Sequence, residues 1–191
     1  AFMFFAFPAF MSGEVWTDLS AEAGSVVLDG YSGATNLAVF DVNHTLMDSA
    51  ANMFMGFEQG SIGETSVIAC FLGALLLIYT GVGSLRIMLS VFAGGLLMGL
   101  VMNGLAPEDS VNHAMSMPAL NHLLVGGFAF GAIFMATDPV TASHTAKGKI
   151  IYGLLIGAFT VLLRVFNPAY PEGMMLSILL FNVFAPLIDH M

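Results

Sequence analysis

Apolar residues in this sequence arrive in runs of about 20, the length at which an α-helix crosses a ~30 Å hydrocarbon core. Such runs occupy residues 62–80, 85–105, 118–136, 149–166 and 173–188, and each predicts a spanning helix. Residues 1–11 read as the last turns of a preceding one. A transmembrane β-barrel would show shorter segments of alternating polarity, so the continuous runs exclude it. Composition agrees, with 58% hydrophobic and 9% charged residues in 191, where soluble chains carry about 25% charged residues. The expected fold class is an all-α integral membrane protein, a five-helix transmembrane bundle plus the end of a preceding helix. Its expected organisation is a helix end at 1–11, an extracytoplasmic segment at 12–61 and the bundle at 62–191.

The formal net charge of -9 reflects a scarcity of cations, with Lys and Arg totalling 4. So few cations offer nucleic acid no basic surface, and their placement reads as topology. Arg86, Lys147 and Lys149 fall at one membrane face, while Glu108, Asp109 and Glu172 fall at the other. The positive-inside rule makes the first face cytoplasmic and puts segment 12–61 outside. Arg164 lies toward the opposite end of its run and is expected to snorkel to the interface. The start at Ala1 has no initiator Met, basic region or small-residue cleavage site, so it does not read as a signal peptide. A portion of a longer protein is expected to precede it.

Pairs of glycine at four-residue spacing, Gly95 with Gly99, Gly127 with Gly131 and Gly153 with Gly157, predict close helix approach and a compact bundle. Ser61 and Glu64 have capping-box spacing, with ligand binding as the other reading. The lone Cys70 excludes an intrachain disulfide and reads as a buried, inert thiol. His44, His113, His122 and His144 share no metal-ligand spacing, which argues against a zinc or iron–sulfur site. Asn121 and His122 are expected to hydrogen-bond at the interface.

Two carboxylates stand at the ends of apolar runs. Asp138 precedes Pro139, which interrupts a helix and frees backbone carbonyls beside the carboxylate, an arrangement able to hold a hard cation or simply to terminate a helix. Asp189, followed by His190, admits the same two readings.

The stretch Asp29-Gly30-Tyr31-Ser32-Gly33-Ala34-Thr35 is a turn of small residues ending in an accessible hydroxyl. It is similar to the flavinylation motif of sodium-translocating NADH:quinone reductase and the related Rnf complex. The motifs Gly60-Ser61-Ile62-Gly63-Glu64, Phe134-Met135-Ala136-Thr137-Asp138-Pro139-Val140-Thr141, Asn167-Pro168-Ala169-Tyr170-Pro171-Glu172-Gly173-Met174-Met175-Leu176 and Phe184-Ala185-Pro186-Leu187-Ile188-Asp189-His190 follow in order. Together they resemble the C-terminal half of the B subunit of that reductase family, one repeat of a ten-helix, two-repeat architecture. The 167–176 run favours that branch over the Rnf membrane flavin subunit. Against the family's pattern, this sequence is expected to lack the first repeat except for its possible tail at 1–11, and the basic C-terminal tail.

The resemblance implies covalent FMN on Thr35 through a phosphoester, with Asp29, Ser32, Gly33 and Ala34 as the motif that a flavin transferase recognises. It further implies electrons arriving from a second covalent-flavin subunit and leaving toward riboflavin and ubiquinone, coupled to sodium transport in which Asp138 and Asp189 take part. Location would be the bacterial inner membrane, multi-pass, among the other subunits of the complex. NADH would be oxidised on another subunit, since no glycine-rich dinucleotide turn follows a strand here. The rival reading is a solute channel or transporter without redox cofactor, to which a broken helix at Asp138-Pro139 is equally suited.

Overall fold

A computed structural model describes residues 2–7, 36–37, 40, 46, 49–57, 63–106, 113–167 and 172–190. Among them the regular structure is entirely helical. Two short helices, α1 (Phe2–Ala6) and α2 (Ala50–Met55), precede α3 (Val67–Tyr79), α4 (Leu85–Leu105), α5 (Ala119–Leu124), α6 (Phe128–Phe130), α7 (Ala146–Phe166) and α8 (Met174–His190). A single turn at His113–Ser116 leads toward α5, and a π-helical turn, Gly131–Met135, continues α6.

Helices α4 and α7 are long and apolar enough to cross a membrane, at 21 residues each. They run in the same direction. The Ser90 hydroxyl in the second turn of α4 donates to the carbonyl of Lys149 near the start of α7, while Met102 near the other end of α4 packs with Val161 and Val165. The seam between them is made of small residues: a Cβ at Gly157 would lie 2.6 Å from the backbone nitrogen of Gly95, and one at Gly153 2.9 Å from the carbonyl oxygen of Ile87. Larger side chains would hold the backbones apart, which is why the small-residue pattern allows this crossing. α8 returns antiparallel to α7, tied to it by buried hydroxyls, with Thr160 Oγ1 3.1 Å from Ser177 Oγ and the Tyr152 hydroxyl donating to Asn182 Oδ1 at 2.5 Å.

Two expected elements differ from the sequence reading. The first apolar run forms its helix only from Val67, because Ser66 is the N-cap and its hydroxyl accepts from the Ala69 amide at 3.3 Å. The expected cap Ser61 lies outside the described residues. The run 118–136 is not one spanning helix: α5 ends at Leu124, Val125 is extended (ψ 138°), Gly126 takes φ +64° and α6 begins at Phe128. A left-handed φ is cheap only for glycine. The second part then winds as a π-turn, the Ala136 amide bonding back to the carbonyl of Gly131 at 2.8 Å.

Candidate site at a broken helix and a carboxylate-tied loop

The long elements gather the charged residues at two ends. At one end lie Arg86, Lys147 and Lys149, at or near the starts of α4 and α7, with Asp189 in the last turn of α8. At the other lie Glu64 before α3, Glu172 before α8 and Arg164 in the last turn of α7.

The two carboxylates that stand apart in the sequence tie one loop, 138–145. Asp138 closes its beginning: Oδ2 accepts from the Thr141 amide at 3.1 Å and from the Thr141 hydroxyl at 2.6 Å, and the Asp138 carbonyl accepts from the Ala142 amide at 3.2 Å. The Thr141 hydroxyl, helped by the backbone amides of Thr141 and Val140, holds the Asp138 carboxyl below the usual carboxylate range against an opposing desolvation. Asp189 closes the loop's end from across the bundle. Its Oδ2 accepts from the His144 amide at 2.7 Å, and its Oδ1 accepts from the Thr145 amide at 3.0 Å, the Thr145 hydroxyl at 2.8 Å and the Ser143 hydroxyl. Thr145 is itself the N-cap of α7, its hydroxyl oxygen accepting from Gly148 at 3.0 Å. A carboxylate at that position also meets the positive end of the α7 dipole.

These contacts assign Asp189 a tying role in the described conformation, because donors from the loop already occupy both of its oxygens. In Asp138 the Thr141 donors both fall on Oδ2, and the residue is half-buried. Sequence reasoning missed Ser143, His144 and Thr145, although Ser-His-Thr directly before a helical run is an N-cap signal.

The helix break forms the second half of the site. Arg164, expected to snorkel, is instead 4% exposed. It donates from Nη1 to the carbonyl of His122 at 2.5 Å and from Nη2 to that of Val125 at 2.9 Å, with its guanidinium 5.7 Å from the Phe128 ring centroid. Glu172 Oε2 accepts from the Gly127 amide at 3.3 Å. His122 is fully buried rather than interfacial. Asn103 on α4 fixes the other end of α5, its amide nitrogen donating to the carbonyls of Met115 and Met117 and its oxygen accepting from the Ala119 amide at 3.1 Å.

The motif residues Asp29, Ser32, Gly33, Ala34 and Thr35 lie outside the described residues. The first described ones beyond them, Asn36 and Leu37, are buried, and Leu37 packs in one apolar cluster with Phe40, Met53, Met117 and Val125 of the break.

Among the described residues, an all-helical structure with two helices long and apolar enough to cross a membrane, beside an interrupted one, fits a membrane protein. A family model described as the NQR2, RnfD, RnfE family matches residues 1–191, and the chain belongs to that family. It is 48% identical over 195 residues to the B subunit of the Na(+)-translocating NADH-quinone reductase of Chromohalobacter salexigens, covering 100% of this chain and 45% of that protein. The B subunit of the same name from Pseudomonas aeruginosa PAO1 is 48% identical, with 100% and 46% covered. That from Azotobacter vinelandii is 46% identical with the same shares, 100% and 46%. The chain thus spans somewhat under half the length of these relatives.

Proposed function

We propose that this chain is part of an electron-carrying membrane subunit of a sodium-pumping NADH:quinone oxidoreductase, in the B-subunit branch of its family. The observation that carries the reading is similarity along the whole chain to proteins named as that subunit, joined to the flavinylation-like motif ending in Thr35. Covalent FMN on Thr35 would supply the redox chemistry, which belongs to the cofactor. The protein's own part is attachment, position and electrostatics. Electrons would pass through the subunit from a second covalent-flavin subunit toward riboflavin and ubiquinone, with sodium as the transported ion. The subunit would sit as a multi-pass protein in a bacterial inner membrane among the other subunits, with segment 12–61 facing away from the cytoplasm. The clustering of Arg86, Lys147 and Lys149 at one end supports that orientation.

Within this reading Asp138 is the cation ligand and Asp189 the residue that keeps loop 138–145 in register beneath it. The transporter alternative has one observation in its favour, the interrupted helix α5–α6, since such breaks mark solute sites in redox-free carriers too. Covalent flavin separates the two. The full-length subunit expressed with its flavin transferase should give a fluorescent band after denaturing electrophoresis, and Thr35→Ala should abolish it while the protein still inserts. Asp29→Ala should weaken labelling by impairing recognition. Flavin retained by Thr35→Ala would refute the attachment site, and a wild-type protein without flavin would leave the transporter reading in possession.

A further inference from the structure

The broken helix poses an accounting problem. In an uninterrupted helix the carbonyls of His122 and Val125 would accept from amides four residues on, and the Gly127 amide would donate four residues back. The break orphans all three groups in the bundle interior, where an unsatisfied backbone group is costly. Each is answered by a charged side chain from a distant part of the sequence. The two carbonyls at the C-terminal end of α5 receive Arg164, and the amide at the N-terminal end of α6 receives Glu172. The signs match the dipoles, with a cation at the negative end of one helix and an anion at the positive end of the next. Both side chains reach the break itself, Arg164 at its carbonyls and Glu172 at its amide. The space beside them is reserved, since a Cβ at Gly126 would lie 2.9 Å from Glu172 Oε1 and 3.4 Å from Arg164 Nη2. Substitution of Gly126 would also strain a backbone at φ +64°.

We propose that Arg164 and Glu172 are a charge clamp on the two ends of this break, and that they act as positioning residues for the cation step. The second half of the claim rests on the proposed function. From Gly127 the chain runs through α6 and the π-turn directly to Asp138, so the clamp sets where that carboxylate stands. On its other side the break carries Val125, packed with Leu37 two residues past Thr35. The break therefore packs with Leu37 on one side and leads to the loop that would handle sodium on the other.

The test uses the assembled, quinone-reducing complex with Arg164→Gln, Arg164→Lys, Glu172→Gln, the exchanged pair Arg164→Glu with Glu172→Arg, and Asp138→Asn for comparison. Backbone amide exchange at residues 125–128 should accelerate by roughly tenfold in Arg164→Gln and less in Glu172→Gln, which keeps an acceptor. The sodium concentration for half-maximal quinone reduction should rise several-fold, with covalent flavin at the wild-type level. Arg164→Lys should recover part of both effects. The exchanged pair should not recover either, because it preserves attraction between the two side chains but presents each helix end with the wrong sign. Unchanged amide exchange in Arg164→Gln, or rescue by the exchanged pair, would overturn the clamp. Accelerated exchange with wild-type sodium dependence, while Asp138→Asn shifts it, would overturn the positioning role alone. If Asp138→Asn also left sodium dependence unchanged, the cation reading of this site would fail and take the positioning role with it, leaving the clamp as a structural device.

Discussion

The pair α4 and α7 and the segment α5–α6 solve the same problem, carrying backbone through an apolar interior, in opposite ways. Each long helix satisfies its own interior amides and carbonyls, so beyond the Ser90–Lys149 bond the two associate through shape, and glycine supplies it. The broken segment leaves its polar groups open and depends on side chains from three other elements: Asn103 of α4, Arg164 of α7 and Glu172 before α8. The contrast separates a rigid frame, specified locally, from an irregular insert, specified by residues remote in sequence. Polar groups are gathered where the chain departs from regular structure, and that is where chemistry can be placed.

The contrast is sharpest where bulk is added to the frame. Gly157→Leu would drive a side chain into the α4 backbone, and overpacking of this kind costs on the order of 3 kcal/mol; detergent-solubilised protein should lose thermal stability or fail to accumulate. Gly104→Leu, on the same long helix as Gly95 but with nothing within 4 Å of its Cβ, should lie within about 0.5 kcal/mol of wild type. Equal sensitivity at the two positions would remove the distinction between a glycine seam and a merely glycine-rich chain.

A smaller effect is expected in the insert's loop. Asp189→Asn keeps the size but turns one acceptor oxygen into a donor facing the donors of Ser143, His144 and Thr145. A mismatch of this kind costs about 1–3 kcal/mol, and faster amide exchange at residues 143–146 should report it while the α4–α7 seam stays protected. Seam and loop loosening together would mean that frame and insert form one cooperative unit.

The smallest effect concerns acid. Because the folded Asp138 carboxyl is held below its usual range by Thr141, its contribution is present above the unfolded pKa of about 3.9 and is lost as pH falls through the lower folded value. Thr141→Ala removes the leading cause, so the acid midpoint for opening of loop 138–145 should move upward, toward the ordinary carboxylate value. An unmoved midpoint would show that the backbone amides suffice.

How much of this was legible follows the same division. Hydropathy alone placed α4 at residues 85–105 and the end of α7 at Phe166, as the structure has them. It started α7 at Lys149 because the lysines dilute the apolar signal, whereas Thr145 caps the helix ahead of them. The run 118–136 read as continuous because averaging over a window conceals two glycines between strongly apolar flanks. Nothing near Gly126 in sequence announces Arg164, which stands 39 residues from its acceptor Val125. The carboxylates Asp138 and Asp189 were visible as charges at the ends of apolar runs, but their meeting on one loop is a product of the fold. The proposal for Thr35 rests on resemblance, its motif being too short to speak for itself, and the residue lies outside the described ones.

One mechanical consequence follows from the capping of α7 by Thr145. The loop's far end is bonded to the first turn of a helix that is itself packed, backbone against backbone, on α4. Its near end at Asp138 hangs from a π-turn and a broken helix. Loop 138–145 is therefore a beam held at both ends, by the helix cap at Thr145 and by the broken helix leading to Asp138, and a shift of either support reaches the carboxylate.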